Sequence, residues 1–513
     1  MCGITGFLGR DRIGEKPLYY GWCGKTLIFA SELKAFKVHP DFQPEINRDA
    51  LASFLRFSYI PAPYSIYQGI HKLPPATLLS WNGKTIYPQP IAYWSAKITV
   101  ESGVAYPFTG SENEAILNLE ALLKDAVKMR MIADVPLGAF LSGGIDSSTV
   151  VALMQAQSSQ PVKTFTIGFY EHAYNEAQYA KAVAQHLGTD HTELYVIPED
   201  AQAVIPKLAS LYDEPFSDCS QIPTFLVSQL ARNHVTVSLS GDAGDELFAG
   251  YNRYFWGRSI WQKIGWIPRA VRHSTAKALT SVSPQSWNQY FAAIDAMLPV
   301  KFKIASSGNQ LHKLASILAV PNPDIMYADL VSHWQEPEKV VIGSSELRTV
   351  LSDRNLCASL PDFTERMMYL DLMSYLPDDI LVKVDRASMG VSLESRIPFL
   401  DHRVVEFAWQ IPLSMKIRGN QGKWLLRQVL YKYVPKELIE RPKKGFGIPI
   451  DSWLRGPLRE WAEDLLDESR LQREGFFNPQ PIRQKWDEHQ SGNRNWQYYL
   501  WDVLMFQAWL AEN

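Results

Sequence analysis

Cysteine is scarce in this chain. Four cysteines occur among 513 residues, at positions 2, 23, 219 and 357, and no two of them form a C-x-x-C pair. Structural zinc sites use closely spaced thiolates, and disulfide frameworks use many cysteines in a short chain. Neither kind of site is therefore expected.

Long apolar runs and an excess of positive charge are also missing. No run approaches the ~18 apolar residues of a membrane span, and the N-terminus has no apolar core typical of a secretory signal. Lysine and arginine total 51 against 54 acidic residues, which gives a net charge of −3 with no basic block. We therefore expect a soluble cytoplasmic protein that binds neither membranes nor nucleic acid. The 16 tryptophans are expected in cores and helix interfaces rather than stacked on bases.

The length and patterning of the chain predict more than one domain and an α/β fold. A chain of 513 residues with 46% hydrophobic content can fill two or more cores. Strand-like and helix-like segments alternate through the middle of the chain, and residues from 255 onward are mainly helical in pattern. The strand-like segments are 135–141, 163–169, 191–196 and 235–240, and the helix-like ones are 176–187 and 221–233. Such alternation predicts a doubly wound parallel sheet, with ligands at the carboxyl ends of its strands.

The most informative motif, residues 142–148, follows the first of these strands. Its sequence is Ser-Gly-Gly-Ile-Asp-Ser-Ser, directly before a helix-like run. Glycine backbone amides, serine hydroxyls and a helix N-terminus together favour a bound phosphate. No lysine follows the glycines, which excludes the Walker loop, and Asp146 would repel phosphates unless a divalent cation lay between them. The motif therefore indicates ATP and Mg²⁺ with pyrophosphate as the bound group, although a serine-capped helix start is the plainer alternative for these residues alone.

A second motif, residues 241–246, follows the fourth strand. Its sequence is Gly-Asp-Ala-Gly-Asp-Glu, with three carboxylates within five residues. A solvated acidic turn is the alternative, but such a turn rarely ends so apolar a strand. Because both motifs follow strands of one parallel sheet, we expect them at the same sheet edge.

These motifs and four later blocks resemble the glutamine-dependent asparagine synthetases. The later blocks are 381–389, 393–401, 422–427 and 441–447. The resemblance extends from about residue 113 to the end, and it implies a PP-loop ATP pyrophosphatase fold with a mostly helical C-terminal part. Asp379, Lys383 and Arg386 lie at helical spacing within this stretch, and for them a salt-bridged surface stripe is an equal alternative.

The resemblance implies roles for individual residues. It assigns Asp242 to formation of an acyl-adenylate and Lys443 to the position of the catalytic lysine, with Lys444, Lys423 and Arg427 as further cationic candidates. It assigns Mg²⁺ and pyrophosphate to Asp146 and Asp245. The residues expected to bind ATP or pyrophosphate are Leu141, Ser142, Gly143, Gly144, Asp146, Ser147, Ser148, Ile167, Ser240, Gly241 and Lys423.

The N-terminus resembles a class II (Ntn-type) glutamine amidotransferase that lacks an internal segment. Met1-Cys2-Gly3-Ile4 is similar to the opening of that domain, in which Met1 is removed and Cys2 attacks glutamine. After Gly9 the chain passes directly to a block, 10–20, that lies late in the family's domain. The missing segment would hold the arginine and acidic residue that grip glutamine and the Asn-Gly oxyanion hole. Asn82-Gly83 is predicted to be a two-residue hairpin turn and no substitute.

These observations define the expected domains and activity. We expect a truncated, β-rich amidotransferase domain over 1–95, a linker over 96–113 and a synthetase domain over 114–513 that folds on its own core. Loss of an oxyanion donor costs about 10²–10³ in rate, so little glutaminase activity is expected. The predicted reaction converts aspartate, ATP and an ammonia source into asparagine, AMP and pyrophosphate. Amidation of a sugar acid, a non-catalytic or regulatory relative, and an error in the gene sequence remain as alternatives, and a homodimer remains open. Residues 266–350 carry no motif with an interpretation.

Overall fold

The structure is a computed structural model that describes residues 6–81, 88–170, 175–283, 286–287, 290, 308–441 and 447–513. The chain divides into two compact units. The first comprises residues 1–250, 332–359 and 368–513, and the second comprises residues 251–331 and 360–367. Every candidate site residue belongs to the first unit.

The N-terminal region, residues 6–95, is rich in strands as predicted. Its strands are β1 (Gly6–Gly9), β2 (Tyr19–Cys23), β3 (Thr26–Ala30), β4 (Ile70–Lys72), β5 (Thr77–Trp81) and β6 (Ile91–Ala92). They pair antiparallel in the orders β1-β5-β6 and β3-β2-β4. A 3₁₀ helix (Leu33–Val38) and helix α1 (Arg48–Phe57) lie between β3 and β4. The predictions for Cys2 and for the Asn82-Gly83 turn concern residues outside the described ranges.

Two helices connect this region to the parallel sheet. Helix α2 (Ala96–Ala105) lies within the segment predicted to be a linker, and helix α3 (Glu112–Arg130) follows it. Helix α3 begins with a capping box, in which Ser111 Oγ accepts from the Glu114 backbone N–H at 3.3 Å and the Glu114 carboxylate accepts from that of Ser111 at 2.7 Å. Such a cap satisfies two amide groups that the helix leaves unpaired.

The described residues form a parallel sheet of five strands, which confirms the predicted fold class. The strands are β7 (Leu137–Phe140), β8 (Lys163–Phe169), β9 (Asp190–Val196), β10 (Val237–Leu239) and β11 (Glu394–Arg396). The helices between β7 and β10 are α4 (Ile145–Gln155), α5 (Ala177–Leu187), α6 (Pro198–Gln202), α7 (Ile205–Tyr212) and α8 (Gln221–Arg232). All of β10 is buried, which agrees with a central strand covered on both faces.

The order of the strands reverses beside β7. The sheet has the order β11-β10-β7-β8-β9, so β8 and β9 extend to one side of β7 while β10 and β11 lie on the other. Leu239 of β10 pairs in parallel with Ala139 of β7, which brings the carboxyl ends of both strands to the same edge. A crevice at such a reversal is where doubly wound sheets bind their ligands.

The rest of the described chain is mainly helical, as predicted. Helix α9 (Gly244–Phe248) follows β10, and the second unit contains α10 (Asn252–Ile264), α11 (Arg269–Thr280), α12 (Gly308–Ala319) and α13 (Pro323–Leu330). The remaining helices begin with a 3₁₀ helix (Pro337–Lys339), α14 (Phe363–Met373), a π-helical turn (Leu376–Ile380), α15 (Leu381–Met389) and a 3₁₀ helix (Pro398–Leu400). They end with α16 (His402–Gln410), α17 (Leu413–Lys416), α18 (Trp424–Leu430), α19 (Lys436–Ile439), α20 (Ile450–Arg455), α21 (Arg459–Leu465), α22 (Glu468–Glu474), α23 (Pro479–Gln490) and α24 (Gln497–Glu512). No helix in the described ranges is both long and apolar enough to cross a bilayer.

One hydrophobic core joins the N-terminal region to the synthetase region. It contains Phe54 of α1, Phe165 of β8 and Trp501 of α24. The rings of Tyr67 and Trp509 lie 5.9 Å apart across this core. The expectation that the parallel-sheet domain folds on its own core stays a prediction, although apolar side chains from both regions exclude water together here. The burial of large tryptophans agrees with their predicted packing role.

Candidate functional site

Two loops meet at the point where the strand order reverses. The first loop (141–144) follows β7 and the second loop (240–243) follows β10. A Cβ atom on Gly241 would lie 2.6 Å from the backbone nitrogen of Ser147 and 2.8 Å from the carbonyl carbon of Asp146. Glycine at 241 therefore allows the second loop to pack against the start of α4.

The first loop is closed by its own serines. Gly143 has φ +70°, and a Cβ there would collide with the backbone of Tyr179 and Ala180. Ser142 Oγ and Ser147 Oγ lie 2.9 Å apart, and the backbone N–H of Ser142 donates to Ser147 Oγ at 3.2 Å. This geometry fits a tight turn into α4, with the helix N-terminus at the sheet edge.

Other predicted ligand residues lie in or beside these loops. Ser148 Oγ is buried and has no hydrogen-bond partner among the described residues. An unpaired buried hydroxyl is costly, so its position favours a binding role. The side chains of Leu141 and Ile167 are buried as well, which leaves their backbone atoms as the groups able to contact a ligand.

Lys423 connects the starts of α4 and α9 through charge. Its Nζ lies 2.7 Å from Asp245 Oδ1 and also contacts Asp146 Oδ2, and the side chain is 6% exposed. Burial alone would lower the pKa of Lys423, but the two carboxylates outweigh burial and raise the pKa above its ordinary value. Lys423 is therefore in direct contact with both predicted metal ligands.

The pair Asp146 and Asp245 fits the donor set of Mg²⁺. Magnesium ions are commonly held by one or two carboxylates together with phosphate oxygens and water. Two carboxylates from separate helices converge on a single cation here. Within the described ranges no three His, Cys, Asp or Glu side chains form a metal cluster.

Asp242 lies in the second loop beside a serine hydroxyl. Ser240 Oγ donates to Asp242 Oδ2 at 2.5 Å. Burial raises the pKa of Asp242, and the Ser240 hydrogen bond and the nearby Lys383 ammonium offset part of that rise. A carboxyl with this balance can exchange a proton more readily than an exposed aspartate.

Asp379, Lys383 and Arg386 are buried, so the surface-stripe alternative is wrong. They are 2%, 7% and 2% exposed. Lys383 Nζ donates to Asp218 Oδ2 at 2.7 Å, and Arg386 donates to the carbonyl of Ser31 at 2.7 Å. The sequence shows the helical spacing of these charges, but burial by other elements depends on the tertiary structure.

Arg441 contacts the first loop. It donates to the carbonyl of Ser142 at 3.3 Å and pairs with Glu176 at 3.2 Å. Its guanidinium carbon lies 3.9 Å from the centre of the Tyr179 ring. Lys443 and Lys444 lie outside the described ranges.

Arg427 and two acidic residues differ from the sequence-based expectation. Arg427 pairs with Glu440 and donates to the carbonyl of Gly422 at 2.9 Å, so these contacts do not place it at the two loops. Asp218 and Glu176, which pair with Lys383 and Arg441, carry no motif in the sequence. Each is far from its partner in the chain, and the local sequence holds no signal for the pairing.

Comparisons with known proteins agree with this geometry. The family model for asparagine synthase matches residues 118–511, and that for the glutamine amidotransferase domain matches residues 4–94. Asparagine synthetase [glutamine-hydrolyzing] 1 of Bacillus subtilis is 29% identical over 98% of this chain and 75% of its own length. A putative asparagine synthetase [glutamine-hydrolyzing] of Mycobacterium bovis is 30% identical over 98% and 74%. Amidase chry2 of Gibberella zeae is 25% identical over 93% and 72%.

Proposed function

The chain belongs to the asparagine synthase family of ATP-dependent amidating ligases, and on this premise we propose that it amidates aspartate with free ammonia. One observation carries the proposal. Helices α4 and α9, which follow two neighbouring parallel strands, bring Asp146 and Asp245 into contact with Lys423 at the carboxyl edge of the sheet. Carboxylates and an ammonium beside a helix N-terminus form a site for a nucleotide polyphosphate and a divalent cation.

The chemistry requires activation of the acceptor. A carboxylate is a poor acyl donor, so its oxygen attacks the α-phosphorus of ATP and pyrophosphate leaves. Ammonia then attacks the carbonyl carbon of the acyl-adenylate, a proton is lost from nitrogen, and AMP leaves. The products are the amide, AMP and pyrophosphate, and every atom of the reactants is accounted for.

The first loop is proposed to hold the pyrophosphate end of ATP. The backbone amides and hydroxyls of Ser142, Gly143, Gly144, Ser147 and Ser148 supply the donors, while the backbones at Leu141, Ile167, Ser240 and Gly241 border the adenosine. Asp146 and Asp245 would hold Mg²⁺, which supplies the positive charge that lets phosphates lie beside carboxylates. Asp242 is proposed to act at the acyl-adenylate step.

Lys443 is proposed as the cation that stabilises charge on the reacting groups. It lies two residues beyond Arg441, which donates to the Ser142 carbonyl and lies over the Tyr179 ring. A cation that close in sequence to a contact with the first loop is proposed to act on phosphate oxygens or the developing tetrahedral centre.

Free ammonia is proposed as the nitrogen source because the sequence predicts that the amidotransferase domain lacks the segment that grips glutamine, and the contacts of its arginines agree with that prediction. Its four arginines are Arg10, Arg12, Arg48 and Arg56. Arg10 is buried and donates to three backbone carbonyls, and Arg12 lies 5.8 Å from an aromatic ring centre. Arg48 donates to two carbonyls, and Arg56 pairs with Glu346 at 3.1 Å. Arg10, Arg48 and Arg56 therefore bind protein groups, while Arg12 is exposed beside the Tyr93 ring.

A sugar acid is the second candidate acceptor. Relatives of this chain include proteins named amidases besides those named asparagine synthetases. The proposed assembly as a homodimer and the absence of a nucleic-acid partner stay predictions.

ATP–pyrophosphate exchange tests the proposed function. Purified full-length protein with Mg²⁺ should catalyse exchange with aspartate and little with glucuronate or galacturonate. Asp146→Ala should abolish exchange without unfolding the chain, whereas Asp134→Ala, at an exposed position before β7, should leave it unchanged. Exchange with a uronic acid alone would identify the sugar-acid candidate. A folded protein that exchanges with neither acceptor would support a non-catalytic relative.

A further inference from the structure

We propose that Lys423 is an internal counter-ion that keeps free divalent metal out of the site, so that the metal enters only together with nucleotide phosphates. This inference rests on the proposed function, because it assigns an order of binding to the same site. It concerns the chain before ATP arrives.

The position of the ammonium supports this role. Lys423 Nζ lies 2.7 Å from Asp245 Oδ1 and contacts Asp146 Oδ2, the two carboxylates that fit a metal. A lysine ammonium is a compact point charge, so it can take the place of a cation between two carboxylates. Two cations cannot share that point, since their charges repel in a site with little water.

The backbone fixes the lysine where it stands. The backbone N–H of Lys423 donates to the carbonyl of Phe248 at 2.8 Å, and Lys423 has φ +58° at the start of α18. A Cβ on Gly250 would collide with Lys423 Cε and Asp245 Oδ1, so glycine there makes room for the lysine stem. Several features of the chain thus serve to bring one ammonium to this point.

Charge balance explains why nucleotide phosphates would release the two carboxylates from Lys423. If the ammonium left the carboxylates for an apolar or empty position, two charge-assisted hydrogen bonds would be lost and a charge would be buried unpaired. Nucleotide phosphates offer the ammonium new acceptors at the adjoining loop. The carboxylates then become available to the metal, which also bridges to the phosphates.

Manganese binding provides the test. Mn²⁺ is titrated into full-length protein, and bound metal is measured by electron paramagnetic resonance and water-proton relaxation. Wild-type protein should bind no Mn²⁺ saturably without nucleotide and one equivalent with α,β-methylene ATP. Lys423→Met should bind one Mn²⁺ saturably without nucleotide, at least 10-fold more tightly than any weak binding by wild type. Lys423→Arg keeps the positive charge and should bind no Mn²⁺ saturably without nucleotide. Lys432→Met is the control, because Lys432 pairs with Glu120 in a partly exposed ion pair.

The outcomes separate this inference from the proposed function. Saturable Mn²⁺ binding by nucleotide-free wild type that is lost in Asp146→Asn would overturn the inference. A folded Lys423→Met protein that binds no Mn²⁺ would also overturn it. If Lys423→Met does not fold, Lys423→Gln provides a neutral side chain that can still donate a hydrogen bond. The measurement of Mn²⁺ binding by nucleotide-free wild type tests the inference in either case. Failure to bind α,β-methylene ATP at all would instead count against the proposed function.

Discussion

The charged groups that join the N-terminal region to the synthetase region differ from those at the sheet edge in how they are paired. At the junction, Glu15 pairs with Arg130 at 2.8 Å and Lys16 pairs with Asp385 at 2.7 Å. At the sheet edge, one ammonium is shared by two carboxylates, and the Ser148 hydroxyl has no partner within the described ranges.

This difference indicates that the charges at the junction stabilise the fold, whereas those at the sheet edge suit a bound ligand. At the junction each of these charges meets a protein partner of opposite sign, so that surface holds two segments together. At the sheet edge two carboxylates share one ammonium beside the N-terminus of α4. That arrangement fits a ligand-binding site, because phosphates can accept from the ammonium and a divalent cation can join the carboxylates.

The largest effect is expected at the junction, where Lys72 and Glu214 form a buried ion pair. Their charged atoms lie 2.5 Å apart, and their side chains are 6% and 5% exposed. Lys72→Met leaves the Glu214 carboxylate without its cation, so the free energy of unfolding should fall by about 3–5 kcal/mol. Because the core is shared, thermal unfolding should take both regions together, which calorimetry and ammonia-dependent activity can follow in parallel.

The pH dependence of that loss has a defined sign. Burial raises the pKa of Glu214, and Lys72 opposes that rise, so the pKa should rise further in Lys72→Met. The folded state then binds the proton more tightly than the unfolded state. The destabilisation is fully present above the folded-state pKa and shrinks as the pH falls through it. The exposed pair of Lys339 and Glu336 is the control, and Lys339→Met should change stability by at most about 1 kcal/mol. A similar fall in the free energy of unfolding in both variants would contradict this prediction.

An intermediate effect is expected at Lys443. Lys443→Ala should lower the rate of amide formation by about 10²-fold, since it removes positive charge from the reacting groups. Lys444→Ala is the internal control and should cost far less at matched stability. The rates are compared at saturating ATP and acceptor. A greater loss in Lys444→Ala would mean that the motif is aligned one residue out of place.

The smallest effect is expected at Cys2. Without an oxyanion hole and substrate-gripping groups, a nucleophile lacks both orientation and charge stabilisation. Amide formation should therefore be supported by ammonium salts, rise with pH as neutral ammonia becomes available, and be indifferent to Cys2→Ala. Equal rates with glutamine and ammonia, with the glutamine rate lost in Cys2→Ala, would contradict this expectation.

Local patterns predicted much of the sheet and its edge. Apolar strand segments at 163–169 and 235–240, with helices between them, were enough to predict the parallel sheet and to place both motifs at one edge. The strand at 163–169 occurs as Lys163–Phe169, and the helix at 221–233 as Gln221–Arg232. Such features depend on neighbours in the chain, and short-range periodicity encodes them.

The sequence by itself determined the family, the parallel sheet and the two motifs whose residues carry the proposed chemistry. The tertiary structure alone decided that Asp379, Lys383 and Arg386 are buried, that Arg441 reaches the first loop, and that the N-terminal region shares a core with the synthetase. The physical reason is distance along the chain. Burial and ion pairing at these positions depend on partners hundreds of residues away, such as Ser31 for Arg386 and Ser142 for Arg441, and only the packed fold brings them together.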